Sequence, residues 1–269
     1  MPVRNFSPLF PGDGTVVFMD SSGGVYRLGL RNGTQLWRAR AEGSELSVST
    51  GGPTLGPDGT VYACSNQGMS LGKEGSQGLL RALRVADGRL LWQQTLPQPC
   101  LSYPAVGPLG EGRGPSVVVT PGSSMGQPGL HGSIMAFDAA TGAPQWRFNA
   151  AAYNGAMNMA RGDLAGLGNR SWFNAHHKTC MPPHWSSANI AGDGTVLAGR
   201  ADGVLYAVKG PSTPQAAVSL ADLGADFLST PGMDVRTWDA QAAAQHGAFG
   251  FAPGLMAFAT CDTLYVFKG

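Results

Sequence analysis

"AFDAATGAPQW", residues 136–146, combines an apolar pair, an acidic residue, a Thr-Gly turn and a tryptophan four residues after the glycine. Short apolar runs on either side of such a turn read as strand, turn, strand. The same register occurs three times: "GGVYRLGLRNGTQLW" from Gly23 to Trp37, "GLLRALRVADGRLLW" from Gly78 to Trp92, and "GSIMAFDAATGAPQW" from Gly132 to Trp146. In each, Leu or Phe follows the first glycine at +5, a second glycine (Gly33, Gly88, Gly142) at +10 and tryptophan at +14, and the copies are 55 and 54 residues apart. Self-similarity at such a period marks a repeat architecture.

Upstream of these runs lies a second shared element, "GDGTVVF" at 12–18 and "GPDGTVYAC" at 56–64, which returns as "GDGTVLAG" at 192–199. Pro8 and Pro53, each seven residues before the threonine of that element, place one further short strand in front. The unit is then a four-stranded antiparallel blade, and the expected fold is an all-β propeller. Weaker copies, "GVLYAVKG" at 203–210 and "DTLYVFKG" at 262–269, extend the count to about five degenerate repeats. The step from Gly132 to Gly203 is 71 residues, 17 more than the step before it, which locates an insertion after Trp146. A single propeller domain over 1–269 is expected, with blades at about 1–40, 41–96, 97–150, 185–220 and 245–269 and an insertion at about 151–184.

With Ala136, Asp138, Thr141, Gly142 and Trp146 in their motif places, "AFDAATGAPQW" resembles the tryptophan-docking motif of the pyrroloquinoline-quinone (PQQ)-type, quinoprotein dehydrogenase-like β-propeller repeats. Copies at 82–92 and 27–37 keep the glycine and tryptophan, and the fourth and fifth units lack the tryptophan. Physical chemistry assigns the motif a structural task. A flat tryptophan near the end of an outer strand covers the next blade while its N–H finds a carbonyl, and the turn glycine permits the positive φ of a tight hairpin. Trp37, Trp92 and Trp146, with Gly33, Gly88, Gly142 and Asp138, are therefore expected to dock blade on blade, Asp138 tying its hairpin through backbone N–H groups.

The resemblance also implies an enzyme class to be tested on the residues. Quinoprotein dehydrogenases of this fold carry a calcium-held quinone, a catalytic aspartate and, in many members, a disulfide between adjacent cysteines. This sequence has no adjacent cysteines, no CxxCH haem attachment and none of the motifs surrounding the calcium ligands. PQQ is thus unsupported, and fold analogy alone is a weak warrant for catalysis. The insertion concentrates His176, His177, Cys180 and His184 within "NAHHKTCMPPHWSS", residues 174–187. His and Cys suit zinc or copper, so His176, Cys180 and His184 are candidate metal ligands. Pro182 and Pro183 oppose the helix that would align them, and a hydrogen-bonded cap is the other expectation.

Composition narrows the partners. Eighteen basic against seventeen acidic residues leave a net charge of +1 with no block of like charge, which supplies no footprint for nucleic acid. No window approaches the roughly eighteen apolar residues of a membrane span, and "MPVRNFSPLF" lacks the apolar core of a secretory signal, so a soluble chain is expected. Cys64, Cys100, Cys180 and Cys261 are far apart and are expected as buried thiols. "TWDAQAAAQH", 237–246, suggests a two-turn helix, with Trp238 and His246 as packing residues. The phase of the repeats at the two ends leads to an open or partial propeller whose uncovered blades meet a protein partner or further blades. The expected function is a non-catalytic interaction scaffold. A diverged quinoprotein or metal-dependent oxidoreductase is the alternative, and a small-ligand or sugar-binding propeller a third.

Overall fold

The computed structural model describes residues 7–40, 49–67, 76–122, 131–152, 184–211, 229–239, 249–259 and 264–268. They form five antiparallel sheets, each made of strands consecutive in sequence. Blade 1 holds β1 (Thr15–Met19), β2 (Val25–Gly29) and β3 (Gln35–Ala39), preceded by a single bridge from Leu9 to Val17. Blade 2 holds β4 (Pro53–Leu55), β5 (Thr60–Gln67), β6 (Gln77–Arg84) and β7 (Leu90–Leu96). Blade 3 holds β8 (Ala105–Pro108), β9 (Pro115–Val119), β10 (Ser133–Asp138) and β11 (Pro144–Asn149). Blade 4 holds β12 (Asn189–Ile190), β13 (Val196–Gly199), β14 (Val204–Lys209) and β15 (Asp234–Asp239). Blade 5 holds β16 (Gly250–Ala252), β17 (Leu255–Ala259) and β18 (Leu264–Lys268). The fold is an all-β, open or partial propeller, with no helix among the described residues.

Successive sheets bury apolar faces against one another. Val17, Met19, Val25 and Trp37 of blade 1 meet Val61, Ala63 and Leu83 of blade 2. The opposite face of blade 2, with Tyr62, Leu80 and Ala82, meets Val117, Val119 and Phe137 of blade 3. A third cluster joins Ile134, Trp146 and Phe148 to Val196, Tyr206 and Val208, and a fourth joins Leu205 to Phe249 and Phe258. Because the middle strands are covered on both sides, β5 and β6 are buried almost throughout and lose the in–out alternation of a one-sided sheet.

Three sequence expectations change. The outer strand of blade 4 lies at 234–239, beyond the expected limit near residue 220, because a long connection separates it from β14. Thr237, Trp238 and Asp239 belong to this strand and not to a helix, and Trp238 is 51% exposed where burial was expected. The rest of that segment, His246 included, lies outside the described residues. Cys64 and Cys100 are not thiols: they form a disulfide, 36 residues apart in sequence and fully buried. Cys180 and Cys261 lie outside the described residues.

Candidate functional site

The repeated tryptophans sit at the seams between blades. Trp37 pairs across from Arg27, Trp92 from Ala82 and Trp146 from Ala136, and in all three blades the ladder slips by one residue immediately afterwards. Such a bulge bends the strand and re-aims its side chain. The Trp37 indole N–H donates to the Val85 carbonyl at 2.8 Å, and that of Trp92 to the Ala139 carbonyl at 2.9 Å, in each case on the following blade. The rings lie on the hairpin glycines: a Cβ built on Gly88 would stand 2.7 Å from Trp37, and one on Gly142 2.6 Å from Trp92. Asp138 holds the Gly142 hairpin by accepting from the Thr141 backbone N–H at 2.8 Å and the Thr141 hydroxyl at 2.7 Å.

The seam between blades 3 and 4 differs. Trp146 lies against Gly210, but its indole N–H has no hydrogen-bond partner among the described residues. In blades 2 and 3 a tight hairpin follows the third strand, whereas in blade 4 β14 ends at Lys209 and β15 begins at Asp234. Beside it a groove of about 880 Å³ opens, lined by Leu109, Arg113, Asp193, Lys209, Gly210 and Asp234 among others. Its charges are largely spoken for: Lys209 pairs with Asp193 at 3.3 Å, and Arg113 donates to the Pro211 carbonyl at 3.2 Å.

At the opposite end of the sheets, where second strands connect to third strands, polar side chains are buried. Asp20 accepts from the Ser22 and Gly24 backbone N–H groups, both at 2.9 Å, and from the Ser22 and Tyr26 hydroxyls, both at 2.6 Å. Burial alone would raise its pKa, yet these hydrogen bonds outweigh burial and hold the carboxyl below the ordinary range. Arg81 of blade 2 donates to the Gly23 carbonyl of blade 1, while its Nε and Nη1 have no partner among the described residues. Burial lowers its pKa to about 10, against an upward pull from Asp20.

His184 is the one candidate metal ligand among the described residues, and it is buried. Its Nε2 accepts from Arg200 Nε at 3.0 Å. Arg200 also donates to Asp202 at 2.8 Å and to the Ala151 carbonyl at 2.7 Å, and lies over the Trp185 ring at 5.4 Å. Asp202 in turn accepts from the Tyr206 hydroxyl at 2.9 Å, and burial, aided by that carboxylate, pushes the phenol up to about 12. A lone pair engaged by a guanidinium is a poor seat for a divalent cation, which the same positive charge repels. No group of three or more metal-binding side chains occurs among the described residues, and His176 and Cys180 lie outside them.

The network therefore locks corners together. Its carboxylates are saturated by donors and its histidine faces a permanent cation, so neither is placed as a general base. Arg200, Asp202 and Asp20 escaped the sequence reading because "RADG" and "DSSGG" announce only tight turns, and Arg81 because it lies inside the repeat strand "GLLRALR", 78–84. No helix among the described residues is long and apolar enough to cross a membrane, a statement that does not bear on β-barrels.

Comparison with known proteins places this geometry. No curated protein matches the sequence. In structure the chain is similar to BamB from Moraxella catarrhalis, with 16% identity, a TM-score of 0.57 and coverage of 98% of this chain and 56% of that one. It is similar also to the quinohemoprotein alcohol dehydrogenase of Comamonas testosteroni, with 16% identity, a TM-score of 0.57 and coverage of 99% and 41%. Saccharomyces cerevisiae Sqt1 follows with 14% identity, a TM-score of 0.52 and coverage of 95% and 57%. The chain thus spans about half the length of these proteins, and likeness at such identity shows the shared fold alone. The profile of the family described as "Outer membrane protein assembly factor BamB" matches residues 75–213, just over half of the sequence. From that match, and from tryptophans seated on the glycine of the next hairpin, the chain belongs to this family of PQQ-type repeat β-propellers.

Proposed function

We propose that the chain is a non-catalytic interaction scaffold that binds protein through exposed apolar side chains of blades 1 and 5. The observation that carries this is where the exposed large apolar side chains lie. Of twelve such residues among the described ones, Phe10, Leu30 and Leu36 are on blade 1 and Phe251, Leu255, Leu264, Val266 and Phe267 on blade 5, while Leu90 and Leu91 are on blade 2, Val235 and Trp238 on blade 4, and none on blade 3. Contiguous exposed apolar surface on a sheet marks an interaction site. Among the described residues β18 is the edge of its sheet, paired with β17, and Val266 on it is 58% exposed. Such an edge offers unpaired N–H and C=O groups to an incoming strand. The near-neutral charge supports a protein partner over nucleic acid, and the matching family's description as an assembly factor agrees with a protein-binding role. Trp37, Trp92 and Trp146 serve in this scheme as the joints that hold the blades in line.

Sedimentation velocity over a wide range of protein concentration, together with limited proteolysis, tests the scaffold role. Concentration-dependent association, reduced by the double substitution Leu264→Asp and Val266→Asp, is expected. A monodisperse, protease-resistant monomer at every concentration would overturn it.

A further inference from the structure

The corner where second strands turn into third strands carries a donor matched to a carboxylate in two of the blades. In blade 1 Tyr26, paired across from Phe18, donates to Asp20 at 2.6 Å. In blade 4 Tyr206, paired across from Ala198, donates to Asp202 at 2.9 Å. The same place in blade 3 is apolar, Met135 across from Val119. Blade 2 keeps the register and changes the chemistry. Arg81, across from Ala63, holds the place of the tyrosines, and Ser65 follows Ala63 by two residues as Asp20 follows Phe18.

Both side chains can donate, and among the described residues nothing accepts. Arg81 Nε and Nη1 and Ser65 Oγ have no hydrogen-bond partner there. Arg81 is 2% exposed and Ser65 fully buried, so bulk water does not serve them. They meet beside one backbone turn: a Cβ built on Gly23 of blade 1 would stand 2.9 Å from Ser65 Oγ and 3.9 Å from Arg81 Nη2.

Charge is as uneven as the hydrogen bonding. Asp20 pulls on Arg81 from a distance, but its oxygens are taken by the Ser22 and Gly24 N–H groups and by the Ser22 and Tyr26 hydroxyls. Arg38 approaches the same carboxylate at 4.0 Å and lies over the Tyr26 ring at 4.8 Å, and the charge of Arg40 reaches that tyrosine too. Three guanidiniums therefore share one carboxylate among the described residues, and the buried one makes no ion pair with it. A water would satisfy donors and leave the charge unanswered, whereas an anion answers both needs.

We propose that the seam between blades 1 and 2 holds a small monatomic anion, chloride under ordinary conditions, bound by the Arg81 guanidinium and the Ser65 hydroxyl. The ion does for blade 2 what a carboxylate does for blades 1 and 4. Burial this complete admits an ion of about the size of a water and no peptide side chain. The joint between the β5–β6 corner and the Gly23 turn then tightens as halide is added. This goes beyond the scaffold role and stands or falls apart from it.

The test melts the whole chain in sodium chloride against sodium gluconate at fixed ionic strength, and locates bromide by anomalous diffraction from crystals grown in sodium bromide. A saturable rise in melting temperature of about 5 °C with chloride is expected. It should vanish in Arg81→Met and need at least threefold more chloride in Ser65→Ala. The bromide peak should lie within hydrogen-bond reach of Arg81. Equal melting in the two salts overturns the proposal. So does a rise that never saturates or that Arg81→Met retains, the mark of a general salt effect. Where Arg81→Met fails to fold, Ser65→Ala and bromide decide: unchanged chloride dependence, or no bromide beside Arg81, overturns it.

Discussion

Alanine at Gly142 should cost far more than alanine at Gly33, although the two glycines hold the same place in the same hairpin. Both backbones are left-handed, with φ +74° and +67°. A side chain there costs about 1–2 kcal/mol, offset by about 0.4–1 kcal/mol because alanine restricts the unfolded chain. At Gly33 the account ends near 1 kcal/mol, since the new Cβ meets nothing within 4 Å. At Gly142 the Cβ would stand 2.6 Å from Cε3 and 2.7 Å from Cδ2 of Trp92, so the ring must move. Moving it strains the seam by about 1–3 kcal/mol and loosens an indole hydrogen bond worth about 1 kcal/mol. Gly142→Ala is therefore expected to lose about 3–5 kcal/mol, some 2–4 kcal/mol more than Gly33→Ala. Gly88→Ala, 2.7 Å from Trp37, should fall with Gly142→Ala. Urea unfolding followed by tryptophan fluorescence gives the three values. Equal losses at Gly33 and Gly142 would refute the seam argument, because backbone strain alone would then explain both.

Closing a loop of 36 residues, the Cys64–Cys100 disulfide should stabilise the chain by about 4 kcal/mol, so the double Cys→Ala variant should unfold at markedly lower urea. Thiol titration of the unreduced, denatured chain should find no more than two of the four cysteines; finding all four removes the bond. Asp20, depressed by its hydrogen bonds, adds stability that is complete above the ordinary carboxylate value of about 3.9 and is lost as pH falls below it through the lower folded value. Urea midpoints from pH 5 down to 3 should therefore fall less steeply for Asp20→Asn than for the parent, and parallel curves count against the network. His184→Ala leaves Arg200 Nε buried without its acceptor, a loss of about 1–3 kcal/mol, and should leave bound zinc or copper unchanged by elemental analysis.

The blades were legible because the hairpin rule is local. Glycine, turn and tryptophan lie within fifteen residues, and the physics that selects each of them acts within one hairpin and its neighbour. Where a contact depends on distant chain, legibility fails. The disulfide joins β5 to the connection after β7, and nothing in a spacing of 36 residues selects that partner. The outer strand of blade 4 was missed for a related reason. It carries Arg236 where the motif has tryptophan, and the alanines and glutamine just beyond Trp238 suggest a helix that the ladder with β14 overrides from Asp234 to Asp239.

The direction of the seams bears on synthesis. Every joined tryptophan waits for a carbonyl made later: Trp37 for Val85, 48 residues on, and Trp92 for Ala139, 47 residues on. At about 5–20 residues per second, a ribosome leaves each indole without its acceptor for roughly 2–10 s. Each finished blade thus holds out a sticky aromatic until the next emerges to cover it, so assembly runs from the N-terminus like a zip with one slider. A pause in translation just after a tryptophan prolongs that exposure, and such pauses are where a nascent chain of this kind is most open to capture by a chaperone or by a neighbouring nascent chain.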